Sequence, residues 1–168
     1  MLFRSLAAYA EIGAGSPTVS GAQSLGGELP RVGRSLQALR AARAIAVADS
    51  DFANDASIVG TPSAFANAAT SDAVIFGGPE LIIGPRAIKD YFDDQRGTSL
   101  SWHPVYAYGA ESGDLGFTVG ESIATTRGQS GAAVQRFGKY LTVWRREANG
   151  VWKFAVDGGN SRPSPIER

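Results

Sequence analysis

Gly138-Lys139-Tyr140-Leu141-Thr142-Val143-Trp144-Arg145-Arg146, then Asn149-Gly150, then Val151-Trp152-Lys153-Phe154-Ala155-Val156-Asp157 reads as a β-hairpin. Branched and aromatic residues alternate with polar ones, and Asn-Gly supplies a tight turn. The two strands are expected over 136–147 and 151–157. Working back toward the N-terminus, Ser112-Gly113-Asp114 is a second turn, joining strands expected at 100–110 and 115–126. The Gly-rich stretch Arg127 to Ala132 is expected to be a mobile loop between strands. From Leu100 onward there is no helical period, so the last third reads as a four-stranded antiparallel meander.

Upstream the period changes. Leu36, Leu39, Ile45, Phe52 and Ala56 fall near one face at helical spacing, which predicts a helix over 35–58. Gly60-Thr61-Pro62 stops it and starts a short helix, Pro62 to Ala69. A strand is expected at Asp72 to Phe76, followed by the turn Gly77-Gly78-Pro79 and the apolar run Leu81-Ile82-Ile83. Gly84-Pro85 then opens a third helix, Arg86 to Asp93, with Ala87, Ile88, Tyr91 and Phe92 on or near its buried side. Three helices and a twisted sheet make an α+β fold. Helices packed on one sheet face would leave a cone-shaped cavity between the layers.

Composition narrows the function. The 168 residues suffice for one domain with a core, and 16 basic side chains cancel 16 acidic ones. Nothing in that balance draws the chain to nucleic acid or to an anionic membrane. There is no cysteine, which excludes disulfides and thiolate chemistry, and a single histidine excludes a His-rich metal site. Residues 1–33 hold a short apolar stretch broken by Glu11 and a Gly/Ser/Pro-rich run. They read as a leader or linker, with neither a convincing signal peptide nor a membrane span. The domain is expected over 34–163, with a tail at 164–168 and a cytoplasmic location by default. The glycines at 13, 15, 77 and 78 do not sit in a βαβ unit, so they are not phosphate loops.

A set of short pieces carries a resemblance. They are Asp49-Ser50-Asp51-Phe52, Gly60 with Ala64-Phe65, Ser71-Asp72-Ala73-Val74, Gly84 with Ala87-Ile88, Trp102-His103-Pro104 and Gly113-Asp114-Leu115-Gly116. Gly138-Lys139-Tyr140, Val143-Trp144-Arg145, Trp152-Lys153, Asp157-Gly158-Gly159-Asn160 and Pro163 complete it. Over about residues 35–163 the chain resembles the NTF2-like superfamily, the cone fold of ketosteroid isomerases and SnoaL-type cyclases. Bacterial SnoaL-like domains of unknown function look most similar. The resemblance implies a cofactor-independent enzyme of isomerase, cyclase, dehydratase or hydrolase type, acting by acid/base catalysis on a small apolar molecule. The alternative it implies is a non-catalytic ligand-binding or dimerisation module. The residues of a ketosteroid isomerase are absent. In approximate register its base falls at Gly77, its Tyr at Ala53 and its Asp at Thr142. No cofactor or metal is expected.

The chemistry-bearing residues are then few. Strand alternation puts Ala155 and Asp157 on one face and Trp152, Phe154 and Val156 on the other. The resemblance points the Asp157 face into the cone, where a carboxylate would have a raised pKa and could shuttle protons. It could instead cap the strand end or pair with an Arg. Tyr140 and Thr142 share a face with Trp144. Tyr140 could donate to a substrate oxygen or be a core aromatic. Asp49 could line the cavity beside Phe52, but it reads more simply as the solvated edge of an amphipathic helix. Trp102 and His103 point to opposite faces, so only one lines the cavity. If Trp102 does, His103 is no acid or base there. Glu121 is either a buried acid or a charge at a hairpin edge. Trp152, Phe154, Val156 and Val143 remain for the outer sheet face, where a homodimer partner is expected.

Overall fold

The computed structural model describes residues 35–164 except Gly78, Arg96 and Gln129. The leader read over 1–33 lies outside the described residues, as does the tail beyond Ser164.

Helix α1, Leu36–Val59, begins where the Ser35 hydroxyl accepts from the Ala38 N–H, and it ends at Gly60 with φ 85°. Its buried stripe is Ala38, Ala41, Ile45, Asp49, Phe52 and Ala56. Leu36 and Leu39, expected on that stripe, are exposed (71% and 42%). The cause is close approach. A Cβ on Gly109 would lie 2.3 Å from the Ala38 carbonyl oxygen, and one on Gly116 would lie 2.8 Å from Ile45 Cδ1. At Gly109 the helix backbone touches the sheet backbone and only alanine, Ala38 and Ala41, fits between them, while Ile45 packs onto Gly116.

Helix α2, Thr61–Ala68, follows directly and carries proline in its first turn. Strand β1, Ala69–Phe76, and the three-residue β2, Leu81–Ile83, form a short antiparallel pair. Helix α3, Pro85–Asp94, buries Ile88 and lays Tyr91 and Phe92 against the core, while Ala87 is exposed. Four long strands complete the chain: β3, Thr98–Gly109; β4, Leu115–Arg127; β5, Ala133–Arg146; and β6, Trp152–Arg162. Gly113 and Gly150 adopt positive φ in the two turns, as their sequences require.

The sheet runs β2-β1-β6-β5-β4-β3, so the expected meander is present and is extended by two more strands. β1 lies parallel to β6, and every other pair is antiparallel. Three helices on a curved, open, mixed sheet are the α+β architecture that the periodicity implies.

One detail changes the face assignments. Val143 pairs with Val156 and Trp144 with Phe154, so Ala155 is an extra residue, a β-bulge. Even alternation fails there. Phe154 and Asp157 lie on the same helix-facing side, beside Trp144 and Thr142. Phe154 is fully buried, and Trp152 packs against the core. Both had been expected on the outer face. Of the four residues assigned to that face, Val143 and Val156 remain on it.

The core is aromatic. The Phe52 ring meets Phe65, Trp102, Trp144 and Phe154 at centroid distances from 4.7 to 6.2 Å. These rings occupy much of the space between the layers. Truncating one such residue to alanine costs about 3–5 kcal/mol.

Candidate functional site

The polar interior is built on Asp49. Its place in the stripe, between Ile45 and Phe52, carries it into the protein with no solvent exposure. The solvated edge expected for it is wrong. The pattern placed an acid at a buried position because donors wait for it there. Trp102 Nε1 donates to Oδ1 and the Tyr140 hydroxyl donates to Oδ2, each at 2.9 Å. Thr118 supplies a third hydrogen bond while its oxygen accepts from Trp144 Nε1 at 2.9 Å. Burial pushes the Asp49 carboxyl above its ordinary range, against the pull of Thr118, Trp102 and Tyr140.

Asp157 has a different setting. It is paired in register with Thr142, whose hydroxyl donates to Oδ2 at 2.5 Å. Burial pushes its pKa up to about 6; the Thr142 bond opposes the shift and the negative charge of Asp49 adds to it. Thr142 itself is buried. Tyr140 lies between the two acids in influence. Burial raises its hydroxyl pKa, and so do the charges of Asp49 and Asp157.

Glycine makes room for this arrangement. A Cβ on Gly120 would lie 2.5 Å from the Tyr140 hydroxyl, and one on Gly159 would lie 2.6 Å from the Lys139 carbonyl oxygen and 3.4 Å from Tyr140 Cα. The Tyr140 ring therefore lies flat over β4. By register, the helix-facing side beyond Asp157 carries Gly159 and Ser161, both exposed, next to Gly138 and Ser122. That end of the inner face is lined by small side chains.

The predicted site residues thus divide into two groups. Asp157, Tyr140, Asp49, Thr142, Trp102 and Phe52 lie on the helix side of the sheet and form one neighbourhood. His103 and Glu121 lie on the outer face, paired across β3 and β4. Glu121 accepts from Arg162 Nη1 at 3.3 Å and lies 3.8 Å from His103 Nε2. Trp102 is therefore the residue that turns inward. Thr118 and Trp144, which complete the support of Asp49, were missed as polar partners. For Thr118 the available signal was its two-residue spacing with Gly116 and Gly120, on the face opposite Phe117 and Val119; for Trp144 it was the face shared with Tyr140 and Thr142. The Tyr91 ring fills the space where a side chain on Gly77 would stand, 2.6 Å from its Cβ position. No group of three or more His, Cys, Asp or Glu able to hold a metal ion occurs among the described residues. No helix of the described residues is long and apolar enough to cross a membrane.

No protein-family model and no curated protein matches the chain. Solved structures do. A ketosteroid isomerase-like protein from Erwinia carotovora atroseptica is 19% identical with a TM-score of 0.61, over 74% of this chain and 97% of its own. An NTF2-like protein with a cystatin-like fold from Novosphingobium aromaticivorans is 16% identical with a TM-score of 0.60, over 76% and 85%. The CaMKII hub of S. rosetta is also 16% identical, with a TM-score of 0.57 over 72% and 96%. Three helices on a curved mixed sheet, matched across nearly the whole of such neighbours, give this chain the NTF2-like, cystatin-like fold.

Proposed function

We propose that the protein is a cofactor-independent acid/base catalyst acting on a small, largely apolar molecule, with Asp157 as the proton-transferring group. The observation that carries this reading is the contrast within the buried acid pair. Asp49 is held by three neutral donors and has no exposure. Asp157 is held on one oxygen by Thr142, is partly buried, and has its pKa pushed up to about 6. An acid poised near neutrality transfers protons in both directions, which suits isomerisation, dehydration or cyclisation. Exposed Gly159 and Ser161 continue the helix-facing side of the strand beyond Asp157. Tyr140 donates to Asp49, so its role is to fix that carboxylate and wall the site.

Carboxyl NMR titration, with Asp157 assigned against Asp157→Asn, is expected to give a midpoint near 6. A midpoint near the ordinary ~3.9 would sink the reading. Deuterium uptake from heavy water into a panel of small cyclic ketones follows proton abstraction directly. Asp157→Asn is expected to slow it by about 10²-fold or more.

A second reading is self-association through the outer sheet face. It is favoured by the apolar side chains there: Tyr106 and Leu141 are 42% and 43% exposed, and Tyr108 stacks on Phe117 at 5.3 Å. Sedimentation at micromolar concentration is expected to give a dimer, and Leu141→Lys a monomer.

A further inference from the structure

The outer face holds a second polar cluster that the acid/base reading leaves unused. Strand pairing sets two adjacent rows across β3 to β6. One is Ser101, Ile123, Phe137 and Arg162; the other is His103, Glu121, Lys139 and Asn160. A pocket of about 200 Å³ opens over them, with Ser101, His103, Glu121, Ile123, Phe137 and Arg162 in its lining. This volume suits a molecule the size of benzoate.

Its chemistry favours an anion. Arg162 is mostly buried, with 22% of its side chain exposed. A guanidinium carries five N–H donors in a planar fork, and among the described residues its hydrogen bond is from Nη1 to Glu121 Oε1. Lys139 stands beside Glu121 in the same row, across from His103. Within the pocket Glu121 takes a single N–H of the Arg162 guanidinium and lies near the His103 imidazole, while exposed Lys139 stands outside the lining. The guanidinium fork keeps donors that Glu121 does not use, and those donors fit one carboxylate. A dianionic phosphate would be opposed by Glu121. Phe137 and Ile123 provide an apolar wall beside the fork, so the anion should carry an apolar body.

We propose that this pocket binds a small monocarboxylate with an aryl or branched aliphatic body. Its carboxylate would sit on the free edge of the Arg162 guanidinium beside His103, and its body against Phe137 and Ile123. The site is on the opposite face of the sheet from Asp157 and does not depend on the catalytic reading.

The test is titration of the full chain with sodium benzoate at low salt, followed by amide shifts of β3 to β6, with assembly mass measured in parallel. Saturable binding is expected with Kd roughly 0.1–1 mM, centred on 101–103, 121–123, 137 and 162. Arg162→Gln should weaken it about tenfold or more, because the bidentate charge-assisted contact is lost. Arg162→Lys should fall between, and Phe137→Ala should weaken it without touching charge. Asp157→Asn should bind as the native chain does, and benzamide should fail to saturate. The proposal is overturned if benzoate does not saturate at tens of millimolar or if benzamide binds equally well. It also falls if Arg162→Gln leaves binding unchanged, or if the shifts centre on Asp157 and vanish in Asp157→Asn. A change of assembly mass in Arg162→Gln with no benzoate binding to the native chain would assign the seat to a carboxylate of a second copy, and would equally overturn it.

Discussion

The two faces of one sheet hold their acids by opposite means. On the helix side, Asp49 and Asp157 are bonded by neutral donors: an indole, a phenol and two threonine hydroxyls. On the outer side, Glu121 sits between a guanidinium and an imidazole. Neutral donors satisfy lone pairs but do not cancel charge, so burial wins and the inner carboxyls are pushed up. A cation does cancel charge. On exposed Asp72 of β1, the Arg145 guanidinium holds the carboxyl well below the usual range. The inner face therefore holds carboxyls whose protonated form is favoured, and the outer face holds fixed charge.

Removing the inner anchor should break this contrast most severely. Asp49→Ala strands the Trp102 and Tyr140 donors and opens a hole, and is expected to cost about 3 kcal/mol or more in urea unfolding. A cost below ~0.5 kcal/mol would mean that Asp49 behaves as a surface acid. Gly120→Ala should follow at about 2 kcal/mol, because its methyl collides with the His103 carbonyl oxygen of β3 and with the Tyr140 hydroxyl. Loss of the Tyr140 ring-current shifts in the β4 amides would report the displaced ring.

Asp157→Asn sharpens the comparison through pH. The folded-state pKa of Asp157 is raised from 3.8 to about 6, so the native state binds its proton more tightly than the unfolded chain. Native stability from this group is full below ~3.8, declines as pH rises toward about 6, and is flat above it. The non-titrating variant should therefore gain on the native protein across that window, by about 2 kcal/mol at pH 8 relative to pH 4. Thermal melts at the two pH values read this difference. Glu121→Gln should do least. Its amide oxygen can still accept from the Arg162 guanidinium, and the unfolding free energy should move by no more than about 1 kcal/mol.

Much of the fold was legible because turns and periods are local. Asn149-Gly150 and Ser112-Gly113-Asp114 announce hairpins without any knowledge of the rest of the chain. The parallel pairing of β1 with β6 was not legible, since it joins residues some eighty positions apart with no sequence mark. The site was half legible. Asp157 and Tyr140 are the chemistry-bearing side chains on strands already recognised. Asp49 was noticed and then placed in solvent, because an acid within an apolar stripe has no visible partner in the linear sequence. Its partners, Trp102, Thr118 and Tyr140, come from three different strands. Leu36 and Leu39 failed for the converse reason. Hydrophobicity marks what prefers burial, while Gly109 and Gly116 decide how close the helix comes and so which residues fit.

The extra residue at Ala155 bears on how chains of this shape are to be compared. Up to Phe154 and from Val156 onward, β6 keeps a strict two-residue rhythm; between them the rhythm slips by one. A gap-free alignment with a relative that lacks the slip would pair Asp157 with a neighbour's outward position. Deleting Ala155 would straighten the strand and leave Val156 opposite Val143 and the Asp157 carboxyl opposite Thr142, still facing the interior. A single extra or missing residue at this point is therefore taken up by the bulge, while the C-terminal end of the strand keeps its facing side. Functional equivalence within the fold has to be traced by facing side, not by counted position.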